Sequence, residues 1–433
     1  MTSPLRRIGA NFSKLLSGKV VGAIISVVYL GLAARELGPE GFGVIALMHG
    51  VIVFLGGIVA FSGWQTLVRF GQVPLREGDI EGVRTVFRFT ATIEAALGAV
   101  AIAMAIVILP IAARAGGWGE AAETYAPWYS LVLLATARQS PFGLLQLYRR
   151  FTWLGIHSAV MPVTRLVGTL IVIALDLGIG GFILAWMAAG VIEGLTLWAM
   201  AIYLLHKERV AWPGFGRVRE AMDRFPGIAR YAFVSNADYT LIHMMPLAIP
   251  LLVGAVLGPA AAGLFALAAR ATNVLQQPAQ LLGQSGFEVV ADLATSNRWK
   301  ELQQMLVRGI ALAIGSGLLV AAFFLASGET VMRLFGGPEF AAAGGILALV
   351  AVARALSISQ PGLAAALAAL GRPGLSLTIN ASTGLLFIPA MVWAMHRYAL
   401  DGAGYAMIGQ ALVATSLAMI FTARTLSRAS KQG

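Results

Sequence analysis

Cysteine is absent from this chain of 433 residues, so neither disulfides nor thiolate metal sites have to be accommodated. Charge is scarce too: Asp, Glu, Lys and Arg make up 12% of the residues, about half of what a soluble domain uses to cover its surface. Motifs of two common chemistries are missing as well. There is no G-x-x-x-x-G-K-[ST] loop and no H-E-x-x-H, which excludes P-loop ATP hydrolysis and zincin-type catalysis. What the chain has instead is apolar length. Hydrophobic residues reach 58% and the mean hydropathy is +0.80, so its main solvent is lipid.

Apolar stretches bounded by charge, Gly or Pro predict spans over 17–36, 43–68, 85–112, 125–148, 154–175, 182–205, 230–256, 260–288, 303–326, 340–368, 374–395 and 402–423, twelve in all. Arg6, Arg7, Lys14 and Lys19 precede the first run, which is longer than a signal-peptide core and is read as a retained span. With the N-terminus in the cytoplasm, Lys and Arg crowd the inner loops, while the outer side holds only Arg35, Arg114, Arg333 and Arg397. This asymmetry places both termini inside. It also accounts for most of the net charge of +11 without nucleic acid as a partner.

The longest polar stretch, 206–230, contains Phe215, Val218, Met222 and Phe225 at spacings of three and four. That pattern fits an amphipathic helix on an anionic inner leaflet, and a merely solvated linker fits equally. It divides the chain into an N-terminal six-helix half (1–206), a linker (207–229) and a C-terminal six-helix half (230–433).

Two strings, LGPEGFGVIAL at 37–47 and LGPAAAGLFAL at 257–267, mark corresponding outer turns 220 residues apart. ALDLGIGGF (174–182) and ALDGAGY (399–405) echo one another at nearly the same offset, as expected of a six-helix unit duplicated in parallel about the membrane normal. Gly-Pro recurs in GGPEF (336–340), so part of the likeness reflects how this chain turns at its outer face.

The stretch NFSKLLSGKVVGAIISVVYLGLAARELGPEGFGVIAL (11–47) resembles the bacterial polysaccharide and O-antigen flippases of the multidrug, oligosaccharidyl-lipid and polysaccharide exporter superfamily. The resemblance extends to DYTLIHMMPLAIPLLVGAVLGPAAAGLFALAAR (238–270) and LDGAGYAMIGQAL (400–412). It implies an all-α integral membrane protein, two six-helix bundles about a pseudo-twofold axis along the membrane normal, V-shaped around a central cationic cavity. It further implies a flippase, not an enzyme, of the bacterial inner membrane. The cargo would be an undecaprenyl-pyrophosphate-linked oligosaccharide, moved outward by alternating access for O-antigen, capsule or exopolysaccharide synthesis. The drive would be membrane potential, an ion gradient or both. No cofactor is expected beyond a coupling sodium ion or proton. The expected partners are the lipid-linked oligosaccharide, membrane lipids, and a polymerase and glycosyltransferases of the same pathway, around a monomeric transporter. Two alternatives stay open. One is a cation-coupled multidrug exporter of the same superfamily, which four intramembrane Arg residues disfavour. The other is a membrane glycosyltransferase, for which the outer loops are too short to hold a catalytic domain.

Arg138, Arg165, Arg270 and Arg354 fall inside predicted spans, and Arg35 lies near the outer end of the first. An Arg at a helix centre costs about 2.5–3.5 kcal/mol even on lenient insertion scales, so these residues are expected to face protein or water. Guanidinium suits a pyrophosphate in bidentate geometry, although pairing with Glu94, Glu193 or Asp238 is also open to them. Arg270, Asn273, Gln277, Gln280, Gln284 and Glu288 share one helical face, broken by Pro278, and read as a cavity wall or as interhelical amide bonding. Asp238, flanked by Ser235, Asn236 and His243, is a candidate for a coupling ion, followed by Glu94 and Glu193. Tyr125, Trp128 and Tyr129 read as an interfacial aromatic belt more readily than as a sugar platform.

Overall fold

In the computed structural model the described residues are 4–59, 61, 63–275, 298–370 and 372–432, and among them the only regular structure is helical. The helices are α1 (Pro4–Ile58), α2 (Gly63–Glu77), α3 (Ile80–Ala115), α4 (Glu120–Tyr129), α5 (Gln139–Leu147), α6 (Phe151–Ala174), α7 (Gly178–Lys207), α8 (Val218–Arg224), α9 (Ile228–Leu257), α10 (Pro259–Ala271), α11 (Trp299–Gly336), α12 (Gly344–Ser357), α13 (Gln360–Ala369) and α14 (Pro373–Gln432). Short 3-10 turns occupy Ser130–Thr136, Thr272–Leu275 and Pro338–Ala343. By length and composition alone, seven of the described helical segments are apolar enough to cross a membrane. Helix is the form that lipid permits, because it satisfies every backbone N–H and C=O within the segment. Hydroxyls follow the same rule: Ser26, Thr85, Thr92 and Thr196 each donate to a carbonyl one turn back.

The Gly-Pro spelling of the turns has a conformational cause. Gly38 (φ 63°, ψ 179°), Gly258 (φ 87°, ψ 176°) and Gly337 (φ 93°, ψ −179°) adopt one backbone conformation, in a region essentially reserved for glycine. Pro39, Pro259 and Pro338 then open the next helical segment with φ already set.

Several expected spans are not single helices. The fourth, 125–148, is α4, a 3-10 turn and α5, interrupted at Ala137 and Arg138. The tenth, 340–368, is a 3-10 turn, α12 and α13, interrupted between Ser357 and Gln360. These interruptions recur at the spacing of the Leu-Gly-Pro strings to within a few residues, so the internal repeat includes its broken helices. The second, 43–68, ends at Ile58 and resumes in α2.

The chain forms two compact units: residues 1–37 with 44–248, and residues 38–43 with 249–433. The division lies inside α9. The reason is local packing: Ile228 and Ala232 of α9 are buried with Leu67, Val83 and Leu204, and the Arg69 guanidinium sits 4.3 Å above the Tyr231 ring. In the first unit α2 packs on α3 and α5, and α6 pairs with α7. In the second, α11 pairs with α12, and α14 packs on α12 and α13.

The stretch 207–225 is pinned to the first unit. Its helix α8 covers only seven residues, and the four-residue apolar stripe is split: Val218 and Phe225 pack on the core, while Phe215 and Met222 are exposed. The stretch forms a strap against the first unit. Arg88, only 4% exposed, holds it by donating from Nε to the Pro213 carbonyl (2.6 Å) and from Nη1 to Glu220 (3.2 Å). Arg84 bonds the Trp212 carbonyl (3.2 Å), Arg224 pairs with Asp79 (2.7 Å), and Gly216 N–H donates to Thr92 Oγ1 (2.9 Å).

Candidate substrate and ion sites

The interruption of the fourth span is built by three neighbouring helices. Arg138 occupies the N-cap position of α5, where its side chain makes no capping bond. Glu94 of α3, 4% exposed, supplies the cap instead: its two oxygens accept from Gln139 N–H (2.5 Å) and Ser140 N–H (2.9 Å). A carboxylate is the right group there, since a helix N-terminus presents unsatisfied N–H groups and partial positive charge. On the other side of the break, Trp198 Nε1 donates to the Ala137 carbonyl (2.7 Å). Close approach of the unwound segment to α7 depends on glycine, because a Cβ at Gly194 would lie 2.8 Å from Ala135 Cα.

The Arg138 side chain, 37% exposed, forms an ion pair with Glu193 of α7, which is 10% exposed. His157 Nε2 donates to the Glu193 backbone carbonyl (3.0 Å), fixing the same turn of α7. Two of the three ion candidates therefore have protein partners already: Glu94 binds backbone amides and Glu193 binds Arg138.

Arg165 of α6 is handled differently. It is 2% exposed and forms no ion pair among the described residues. Its Nη1 donates to the Tyr29 hydroxyl (3.2 Å) and its Nη2 to His49 Nε2 (3.3 Å). The guanidinium carbon stands 4.4 Å from the centre of the Trp186 ring, in cation–π geometry. Because a guanidinium only donates, His49 Nε2 is an acceptor. The proton of this neutral imidazole then sits on Nδ1, which is 3.2 Å from the Tyr129 hydroxyl. Tyr129, expected in an interfacial belt, is buried in this cluster, whereas Trp128 is exposed.

In the second unit Arg354 of α12 donates from Nη1 to Asn273 Oδ1 (2.5 Å) and forms no ion pair among the described residues. Asn273 lies in the 3-10 turn after α10, three residues beyond the exposed Arg270. Just beyond Arg354, Thr415 Oγ1 donates to the Leu356 carbonyl (3.0 Å) and accepts from Gln360 Nε2 (3.2 Å), bridging the interruption of the tenth span. Arg35 is exposed. Gln277, Gln280, Gln284 and Glu288, and the side chains of Ser235, Asn236, Asp238 and His243, lie outside the described residues.

Arg165 and Arg354 are legible in the sequence as charges in the membrane, but Tyr29, His49 and Trp186 are not singled out by it. The available signal was a solitary His within an apolar helix, a residue type that needs a hydrogen-bond partner when buried. Arg88 is also buried, and the sequence does not single it out. Its place in a run of apolar residues, VFRFT (86–90), was the sign of burial.

No family model matches the chain. It is 28% identical over 337 residues to the inner membrane protein YghQ of Escherichia coli (strain K12), covering 77% of this chain and 94% of that one. Among solved structures it is similar to an inward-facing multidrug resistance MATE family transporter of the MOP superfamily, with a TM-score of 0.76, 17% identity and coverage of 94% and 96%. The chain has the MATE fold. A MATE in complex with MaL6 gives a TM-score of 0.63 at 17% identity, covering 97% of both chains. A mutant of the Vibrio cholerae MATE transporter VcmN gives 0.58 at 15%, covering 96% of both. The fold carries twelve membrane helices in two bundles, the number that the hydropathy of this chain predicts.

Proposed function

We propose that the chain is a multi-pass inner-membrane transporter of the MOP type, not an enzyme, and that its cargo is an anionic lipid-linked oligosaccharide. The cargo is an undecaprenyl-pyrophosphate carrier whose charged head and sugars cross from the cytoplasmic to the outer leaflet while its tail stays in lipid. The carrying observation is that Arg165 and Arg354, both within the spanning segments, are held by Tyr29, His49 and Asn273 and not by carboxylates. Each keeps its full charge for a phosphate oxygen, and guanidinium fits that ligand with paired N–H donors. A carrier of cationic drugs would gain nothing from such groups. Arg138 contributes less, because Glu193 already neutralises it. Arg35, Arg270 and Asn273, with Gln277, Gln280 and Gln284, complete the proposed contacts.

Moving a dianion outward across an inside-negative potential of about 100 mV is favourable by about 4.6 kcal/mol if its charge travels uncompensated. That is enough to drive flipping without ATP. Asp238, Glu94 and Glu193 remain proposals for a coupling sodium ion or proton. A polymerase and glycosyltransferases of a surface-polysaccharide pathway are the proposed partners of a monomeric transporter.

The test is outward flux of labelled undecaprenyl-pyrophosphate oligosaccharide in proteoliposomes. Arg165→Gln combined with Arg354→Gln is expected to lower flux at least tenfold in protein that elutes as the wild type does. Unchanged flux in that variant overturns the cationic-contact reading. Ethidium efflux without lipid flux would instead establish a drug exporter.

A further inference from the structure

Glu94 and Glu193 are engaged by the protein itself, yet one titratable group in the first unit is set to exchange partners. His49 lies on the second segment of α1 and meets Arg165 through one ring edge and Tyr129 through the other, with Tyr29 bonded to the same guanidinium. Tyr29 comes from the first segment of α1, Tyr129 from α4 and Arg165 from α6, while α7 contributes the uncharged Trp186, whose ring centre is 6.0 Å from that of His49.

We propose that His49 is a proton-binding site of the transport cycle, at which a proton on Nε2 and the hydrogen bond from Arg165 exclude one another. The balance is simple. In the observed arrangement Nε2 uses its lone pair to accept from Arg165 Nη2, and Nδ1 carries the only imidazole proton. A proton arriving at Nε2 takes that lone pair and makes the ring a cation with two donors. Arg165, itself a cation and a donor, then has to leave. Its free N–H groups turn to an acceptor, and in a transporter of anions that acceptor is the cargo's phosphate. Proton and anion therefore bind together at this site, each assisting the other through Arg165. Tyr129 stays compatible with both states, because it accepts from Nδ1–H in either.

The proposal rests on the transporter reading, but its test uses no cargo. Full-length protein in detergent micelles, labelled with 15N-histidine, is followed by NMR across about pH 5 to 8, the range in which imidazole charge changes are ordinarily seen. The chain has five histidines, and His49→Gln identifies the signal. The expected result is a neutral ring protonated at Nδ1 at the alkaline end, converting to the doubly protonated form. The conversion should be accompanied by a tryptophan fluorescence change that Trp186→Phe removes. That change should vanish in His49→Gln and persist in His157→Gln. A ring protonated at Nε2 in its neutral form, no titration across the range, or the same fluorescence change in His49→Gln each overturns the proposal. If His49→Gln does not fold, Tyr129→Phe assigns the resonance by displacing it, and the wild-type tautomer decides. Loss of oligosaccharide flux alone bears on the cargo, not on this site.

Discussion

Gly43 and Gly263 lie backbone against backbone, each at the start of a helix that follows a Leu-Gly-Pro turn. A Cβ on Gly43 would collide with the Pro259 carbonyl, and one on Gly263 with the Pro39 carbonyl and with Gly43 itself. The third Gly-Pro turn joins them: Gly38 faces Glu339, and the Phe42 and Phe340 rings meet edge to face at 6.0 Å. Gly263→Val is expected to destabilise by about 1–3 kcal/mol or more, the range for forced overpacking. Thermal unfolding in detergent should show the loss, and an unchanged midpoint would mean that the two turns do not touch.

Removing the acid that caps α5 should loosen its first turn. Glu94→Leu leaves the Gln139 and Ser140 amides without acceptors, at a cost of about 1–3 kcal/mol for each buried group. Hydrogen exchange is the direct measurement. Peptides over 139–143 should exchange faster in the variant, and those over 163–170 in α6 should not.

The Arg138 and Glu193 pair should show the asymmetry of an ion pair in a low-dielectric setting. Glu193→Gln alone leaves a cation in the membrane, whereas the double change with Arg138→Gln leaves none. The double variant is therefore expected to be more stable than Glu193→Gln alone, with a coupling energy of about 0.5–3 kcal/mol. Additive effects on the melting temperature would remove the pair from any role in stability.

Arg88 anchors the strap over 207–225. Replacing it with Leu deletes bonds to the Pro213 carbonyl and Glu220, and a charged hydrogen bond is worth about 1.5–3 kcal/mol. Local opening should become about tenfold more frequent or better. Trypsin would then cut after Arg217 and Arg219 correspondingly faster, and equal cleavage rates would show that the aromatic contacts of Trp212 suffice.

Much of the fold could be read from the sequence because lipid makes hydropathy nearly deterministic. The Leu-Gly-Pro strings announced their turns, since a positive φ followed by a fixed φ is a local demand. The interruption at Ala137 and Arg138 was not legible. The cap it depends on comes from Glu94, more than forty residues away, and hydropathy runs on across the break. Arg165 was flagged by the cost of burying its charge, but its partners His49 and Tyr29 lie on a different helix and carry no sequence mark. For the stripe Phe215, Val218, Met222 and Phe225, the split between core-packed and exposed residues was not legible, because only Val218 and Met222 fall within the seven residues of α8.

The three glycine turns also bear on how the chain is made. Their geometry is written in two adjacent residues and needs no distant contact, so each can close as soon as its two flanking helices leave the translocon. Assembly starting from such hairpins would shorten the search for native contacts. Replacing Gly258 with a β-branched residue would accordingly slow membrane integration during synthesis even where the finished protein survives the change.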